Sequence, residues 1–271
     1  MTDYLTATHI YRAASSVALY MWCILLVPSK IPLIPSKIHD YPMHIYPTPP
    51  SVTAFSTTRD GDASLPIPRL FMPHHQVHGI RTVIIDDTFL RLTPLQQALA
   101  MDGVDALSTD LPLTCVCVKT ADCIPVLLWD EHTHVVSAVH AGWKGTLQRI
   151  VEHNISTLRD VYALDPSGLH AIIGPGIGPD SFEVGDEVYE QFAQAGFDMQ
   201  LLASRYPDMR NPKLTKWHID LWECNRQQLL SMGLQADKIH VSAIDTFAHY
   251  DRFFSARRHL DGRIINGIMW N

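Results

Sequence analysis

Three short apolar runs, residues 116–119, 124–129 and 135–139, follow one another with only turn-length breaks between them. Runs of this length, bounded by polar residues or glycine, suit buried strands and are too short for helices. The chain must therefore build its core around a sheet. The same runs put Thr120-Ala121-Asp122-Cys123 and His140-Ala141-Gly142-Trp143 at strand ends, where the chain leaves the core and side chains are placed for chemistry. A third candidate, His78 in Gln76-Val77-His78-Gly79, lies after a turn-rich segment upstream. Two imidazoles and a thiolate form a sensible zinc set with one coordination position left for water or substrate. The three lie too far apart in sequence to be a local metal motif. Taken singly, each histidine is more commonly a surface or hydrogen-bonded residue, and the cysteine a buried small apolar group.

Composition narrows the function classes. At 271 residues, 46% apolar and 18% charged, the chain can bury one sizeable core. A net charge of −7 argues against nucleic-acid binding, which needs a basic face. Five cysteines, an odd number without framework spacing, fit a reducing compartment, so a cytoplasmic location is expected. Residues 1–45 differ in composition from the rest of the chain. Their uncharged run, 13–27, is short for a membrane span and lacks a small-residue cleavage site. It is expected to be an N-terminal extension, with no membrane partner, ahead of a single domain over 46–271. Pro47, Pro49 and Pro50 make a stiff entry into that domain.

Along the chain, strands are expected at 52–57, 82–85, 171–173, 239–244 and 264–270, with a turn at 58–61 and an irregular approach at 65–72. A brief helix is expected at 95–101. A longer one is expected at 147–161, from the spacing of Leu147, Ile150, Val151, Ile155 and Leu158. Two more are expected at 184–197 and from Trp217 through about Met232, the last capped by Asp220 and ended by Gly233. Residues 102–107 return the chain to the core. Cys115 and Cys117, two apart on a strand, share one face and read as buried apolar side chains, not metal ligands. The Gly174–Pro179 turn lacks the Lys-Ser/Thr of a phosphate loop.

Taken together, several motifs resemble one family. Gln76-Val77-His78-Gly79, Thr120-Ala121-Asp122-Cys123-Ile124-Pro125-Val126 and His140-Ala141-Gly142-Trp143-Lys144-Gly145-Thr146 occur in that order. Gly174-Pro175-Gly176-Ile177, Phe182-Glu183-Val184-Gly185, His218-Ile219-Asp220-Leu221 and Phe254-Ser255-Ala256-Arg257-Arg258 come after them. From about Pro49 to Trp270 the chain is similar to the YfiH/laccase-domain family. That resemblance implies an α+β fold of packed mixed β-sheets flanked by helices, in α/β/β/α layers. It also implies a purine nucleoside phosphorylase acting on adenosine, inosine, guanosine and methylthioadenosine, with adenosine deaminase activity. The implied metal ligands are His78, Cys123 and His140, with zinc as the usual metal and copper bound in vitro through its higher intrinsic affinity. A purine nucleoside and phosphate are the implied small-molecule partners, and a monomer or weak homodimer the expected state.

Three departures stand out. Only eighteen residues separate Arg59 from His78, where relatives carry a longer stretch with Asn-Leu and Asn-Arg pairs. Asp245 precedes Thr246 where cysteine is common, and Lys144 stands where arginine is frequent.

For the chemistry, Cys123, His140, His78 and Asp122 are the catalytic candidates. Asp122 either positions a ligand, moves a proton, or simply bonds the turn. Arg59, Lys144, Arg257 and Arg258 are the candidates for phosphate, since cationic groups must hold an attacking anion. Adjacent arginines are as commonly a solvated pair. Two other functions compete with the zinc phosphorylase. One is a cysteine hydrolase with Cys123 as nucleophile and His140 as base. The other is a non-catalytic metal-binding protein. Copper-dependent phenol oxidation ranks below both, because one mononuclear site does not supply the several coppers used to reduce oxygen.

Overall fold

The expected strands assemble into two mixed sheets in a computed structural model, which describes residues 43–59, 65–208, 211 and 213–271. All of these belong to one compact unit, Lys37–Asn271. The expected extension over residues 1–42 lies outside the described residues, and so do Asp60 and Gly61 of the expected turn. Met43–Ile45, assigned by sequence to the extension, is instead a strand, with Met43 opposite Thr57.

In chain order the first half contains β1 (Met43–Ile45), β2 (Val52–Thr57), β3 (Arg69–Phe71), β4 (Thr82–Ile84), α1 (Asp87–Leu90), α2 (Pro94–Ala100), β5 (Ala106–Thr109), β6 (Thr114–Thr120), β7 (Ile124–Trp129) and β8 (Val136–Ala141). Then come α3 (Trp143–Leu147), α4 (Ile150–Tyr162), β9 (His170–Ile173), β10 (Glu183–Val184), α5 (Asp186–Gln194), α6 (Met199–Leu202), β11 (Ala203–Pro207), β12 (Thr215–Ile219), α7 (Leu221–Ser231), β13 (Ile239–Val241) and β14 (Ile264–Trp270). One sheet runs β1-β2-β14-β6-β3, and the other runs β13-β9-β7-β8-β5-β4. A small third sheet has the order β10-β12-β11.

Side-chain alternation along β6 shows how the layers form. Val116 and Val118 face the second sheet and pack with Leu127, Ala138 and Ile172. Cys115 and Cys117 face the other way, their sulfurs 3.5 Å apart, among Phe55, Met72 and Met269. The far side of the second sheet carries Val126, Leu128, Val139 and Ile173 against Ile150, Ile155 and Leu158 of α4 and Leu229 of α7. Each such aliphatic side chain contributes about 1.5–3 kcal/mol by leaving water. The fold is α+β, as expected. Among the described residues, the outer face of the first sheet is packed by Leu65, Ile67 and Leu70. The eighteen-residue link before His78 leaves little chain for more.

Four local expectations are corrected. The helix expected at 147–161 is two helices, because Arg149 takes a left-handed turn (φ 62°) between α3 and α4. Glu183–Val184 pairs with β12, so the helix expected from 184 starts at Asp186. Trp217 to Ile219 are likewise strand, although Asp220 does cap α7 by accepting the Glu223 amide at 2.9 Å. The segment at 65–72, expected to be irregular, contains β3, which pairs parallel with β6. In each case sheet pairing or one backbone turn overrides a helical or irregular pattern that the sequence alone favours.

The register of β7 against β8 matters most for function. Ile124 lies opposite Ala141 and Pro125 opposite His140. Cys123, just before β7, and His140, near the end of β8, therefore emerge at the same end of the sheet. On β14, Gly267 permits close approach of the neighbouring strands. A Cβ there would lie 2.6 Å from Phe55 Cζ and 2.7 Å from Cys117 Sγ. Gly267→Val should lower unfolding stability by about 1–3 kcal/mol through overpacking. Denaturant midpoints of the two proteins measure this directly, and an unchanged midpoint would contradict the packing described.

Candidate metal centre

Two loops and the end of β8 converge beyond the β7–β8 end. His78 precedes β4, Cys123 closes the turn between β6 and β7, and His140 lies on β8. One ligand atom from each of the three lies within 4.8 Å of the others. The two imidazole rings are 4.8 Å apart between centroids and inclined at 62°.

The convergence is built by a carboxylate. Asp105, fully buried, accepts the amides of Val77, His78 and Gly79 at 3.3, 3.0 and 2.8 Å. The same carboxylate takes His140 Nδ1 at 2.8 Å. Because an ionised carboxylate only accepts, that contact puts a proton on Nδ1 and leaves Nε2 of His140 for the site. Burial alone would raise the Asp105 carboxyl, but His140 and the backbone amides hold it below its ordinary range. Gln76 fastens the same loop to β6. Its side chain accepts the Lys119 amide at 2.8 Å and donates to the Lys119 carbonyl at 2.9 Å.

Two site residues adopt left-handed backbone conformations, His78 at φ 61° and Asp122 at φ 78°. Such geometry costs a non-glycine residue about 1–3 kcal/mol, and the surrounding hydrogen bonds must offset it. Gly142, which starts α3, is needed for a different reason. A Cβ there would lie 2.9 Å from both Cys123 Sγ and His78 Cδ2.

The electrostatics favour a thiolate. Burial would push the Cys123 thiol up, but His140 and His78 bring it down to about 6. His140 shows the reciprocal effect. Burial would lower it, yet the Cys123 thiolate and Asp105 raise it to about 9. Two imidazoles and a thiolate of this kind can hold a soft or borderline divalent ion.

Asp122 has a different job. Its oxygens accept from Thr246 Oγ1 at 2.7 Å, Ser255 Oγ at 3.1 Å and the Arg257 amide at 2.7 Å. These bonds tie the 246–257 loop to the turn that carries Cys123. Asp245, the residue standing in place of the common cysteine, is likewise engaged, with Ser181 Oγ and the Phe247 amide.

Two clefts open at Cys123 and share Ala121, Cys123 and Ala256 as a common wall. One, of about 420 Å³, is lined by Trp143, Ile177, Phe182 and Leu221 together with Asp122, Arg257 and His259. The other, of about 390 Å³, is lined by His78 and His140 together with His74, Lys119 and Arg263.

Of the four cations singled out by sequence, Arg257 alone lines either of these two clefts. Its guanidinium donates to the Glu183 carbonyl at 3.0 Å. Arg258 is held between the rings of Phe247 and Tyr250, 4.1 and 4.2 Å from their centroids. Arg59 lies over Phe254 and donates to the Tyr250 carbonyl. Lys144 is exposed beside Trp143.

Sequence reasoning missed Asp105, Lys119 and Arg263. A signal existed for Asp105, since one acid inside the apolar run Val104-Asp105-Ala106-Leu107 must find a partner once buried.

Comparison with known proteins places the chain among relatives of named activity. The protein-family model described as multi-copper polyphenol oxidoreductase laccase matches residues 55–271. A purine nucleoside phosphorylase of Bacteroides thetaiotaomicron is 41% identical over 196 residues, covering 72% of this chain and 71% of that protein. A protein named adenosine deaminase RL5, from an unknown prokaryotic organism, is 39% identical, covering 73% of this chain and 74% of its own length. The crystal structure of YfiH from Bacillus licheniformis superposes with a TM-score of 0.68 at 24% identity, covering 81% of this chain and 93% of that one. This last likeness concerns the fold.

The thiolate assignment has a direct check. In metal-stripped protein, alkylation of Cys123 by iodoacetamide should rise with pH to half its maximum near pH 6 and then level off, because the thiolate is the nucleophile. A rate still climbing between pH 8 and 9 would contradict the two-imidazole environment.

Proposed function

The chain belongs to the multi-copper polyphenol oxidoreductase laccase family, and from that membership we propose that it is a zinc-dependent purine nucleoside phosphorylase with adenosine deaminase activity. Its substrates would then be a purine nucleoside with phosphate, and adenosine with water. The observation that carries this reading is the His78–Cys123–His140 cluster set against a cleft walled by Trp143 and Phe182. A flat aromatic base suits such walls, because stacking and apolar contact reward planarity. The names of the phosphorylase and deaminase relatives point to the same substrate class.

The residues present fit zinc. Bonds of about 2.3 Å to sulfur and 2.0–2.1 Å to nitrogen place tetrahedral ligand atoms roughly 3.5 Å apart. The ligand atoms here, all within 4.8 Å of one another, need only a small closure to reach that spacing. Asp105 behind His140 supplies the carboxylate–histidine pairing that orients metal-binding imidazoles. Bound there, zinc supplies Lewis acidity at the junction of the two clefts. His78, Cys123 and His140 would hold it, and Gly142 leaves room for their approach. Asp122 acts at one remove, fixing the turn that presents Cys123. Among the described residues this is the one such cluster, which does not supply the several coppers of an oxygen-reducing oxidase.

One observation favours a second reading. Cys123 lies within 4.8 Å of His140, which bonds Asp105 in turn, the order of groups used by cysteine hydrolases. The second imidazole, His78, also lies within 4.8 Å of the sulfur and helps hold the thiol down, and this suits a metal ligand set better than a single-base nucleophile.

A paired assay separates the readings. Metal-analysed protein is given adenosine with and without phosphate, and adenine and inosine are followed by chromatography. The phosphorylase reading expects adenine only with phosphate, and deaminase activity adds inosine in both conditions. His78→Ala and Cys123→Ala should lose zinc and both products together. Activity that persists after metal removal would favour the cysteine hydrolase, and a folded, zinc-loaded protein that forms neither product would overturn the proposal.

A further inference from the structure

Phosphorolysis makes a geometric demand on any site that performs it. An oxygen of hydrogenphosphate forms a bond to C1′ of the ribose as the C1′–N9 bond breaks. The electrons of the broken bond leave with the base, and the proton that hydrogenphosphate brought ends on a base nitrogen. The attacking anion and the departing base must lie on opposite faces of C1′.

The two clefts offer such an arrangement, because they meet along one shared wall of Ala121, Cys123 and Ala256. Their linings differ in chemistry. The first is mainly aromatic and apolar, and its one lining arginine, Arg257, is accompanied there by the Asp122 carboxylate. The second contains Lys119 and Arg263 and no carboxylate in its lining. Neither cation is in an ion pair among the described residues. Lys119 uses one of its three donors on the His74 carbonyl, at 2.8 Å. Arg263 uses one of five on the Gly262 carbonyl, at 2.6 Å. The others remain for a ligand. Lys119 is half-buried, and burial together with the charge of Arg263 lowers its pKa, so the two cations sense one another. Apart from the Cys123 thiolate, which a bound metal would neutralise in part, no anionic side chain lines this cleft, and two like charges drawn into it favour an anion between them.

We infer that Lys119 and Arg263 form the phosphate subsite, in the cleft lined by His78 and His140, with the purine base seated across the shared wall between Trp143 and Phe182. Arg257, on the base side with Asp122, is then left to orient the nucleoside. The inference rests on the phosphorylase reading for its biological meaning, but the anion site can be tested without turnover.

The test measures binding of inorganic phosphate to zinc-loaded protein by calorimetry and by 31P line broadening, with no nucleoside present. Lys119→Gln and Arg263→Gln should each weaken phosphate binding about tenfold or more, in keeping with the loss of a charge-assisted contact, and the double variant further. Arg263→Lys, which keeps the charge but not the fork, should lose less than Arg263→Gln. Zinc content and melting temperature should match those of the parent protein, which separates a lost subsite from a damaged fold. In turnover the same substitutions should raise the KM for phosphate far more than the KM for nucleoside. Parent-like phosphate affinity in both glutamine variants would overturn the inference, and so would a parent protein that does not bind phosphate. Absence of nucleoside turnover with phosphate binding still dependent on Lys119 and Arg263 would sink the phosphorylase reading and leave the anion site standing.

Discussion

The buried carboxylate of Asp105 is the interaction on which the rest of the site depends. An ionised group with no exposure is costly unless every lone pair is engaged. Here three consecutive amides of the His78 loop and one imidazole nitrogen of β8 engage it. One side chain thus fixes the left-handed backbone of His78, the tautomer of His140 and the distance between the two. With Asp105 immediately before β5, which pairs with β8 in the sheet, the geometry is inherited from strand pairing. The neighbouring Asp122 works the same way on the other side. It gathers Thr246, Ser255 and the Arg257 amide around the turn that presents Cys123.

Much of this was legible in the sequence, and the limits come from physics. The apolar runs at 116–119, 124–129 and 135–139 marked the central strands because full burial leaves a short, unbroken apolar signature. The terminal strand matched at 264–270 for the same reason. The break at Arg149 was invisible, since a single left-handed residue leaves the helical spacing on both sides intact. Short strands such as β3 and β10 were missed because pairing with a distant partner, not local preference, creates them. His78, Cys123 and His140 were found through combined motifs, and no local spacing would have joined them. The cations were harder. Arg257 and Arg258 are adjacent in sequence, yet one lines a cleft and the other is clamped between two aromatic rings. Lys119 and Arg263 carried no local signal. Their meeting depends on β14 pairing with β6, which sets Ile264 opposite Thr120.

The short link between Arg59 and His78 bears on how the site opens. His74 and the two cations lie along the cleft that this segment borders, and Gln76 ties the loop to the Lys119 backbone. Any chemistry in this cleft therefore draws on residues of β6, β14 and the His78 loop together. The cleft on the other side draws on the start of α3, the approach to β10 and the start of α7, through Trp143, Phe182 and Leu221. Cys123 stands where the two sets meet.

The central claim is that His78, Cys123 and His140 together hold one divalent ion. X-ray absorption at the zinc edge, on protein carrying one zinc per chain, tests it most directly. The account predicts one sulfur neighbour at about 2.3 Å and light-atom neighbours at about 2.0–2.1 Å that include two imidazoles. A shell without sulfur, or one with two or more sulfurs, would place the metal elsewhere in the chain and contradict it.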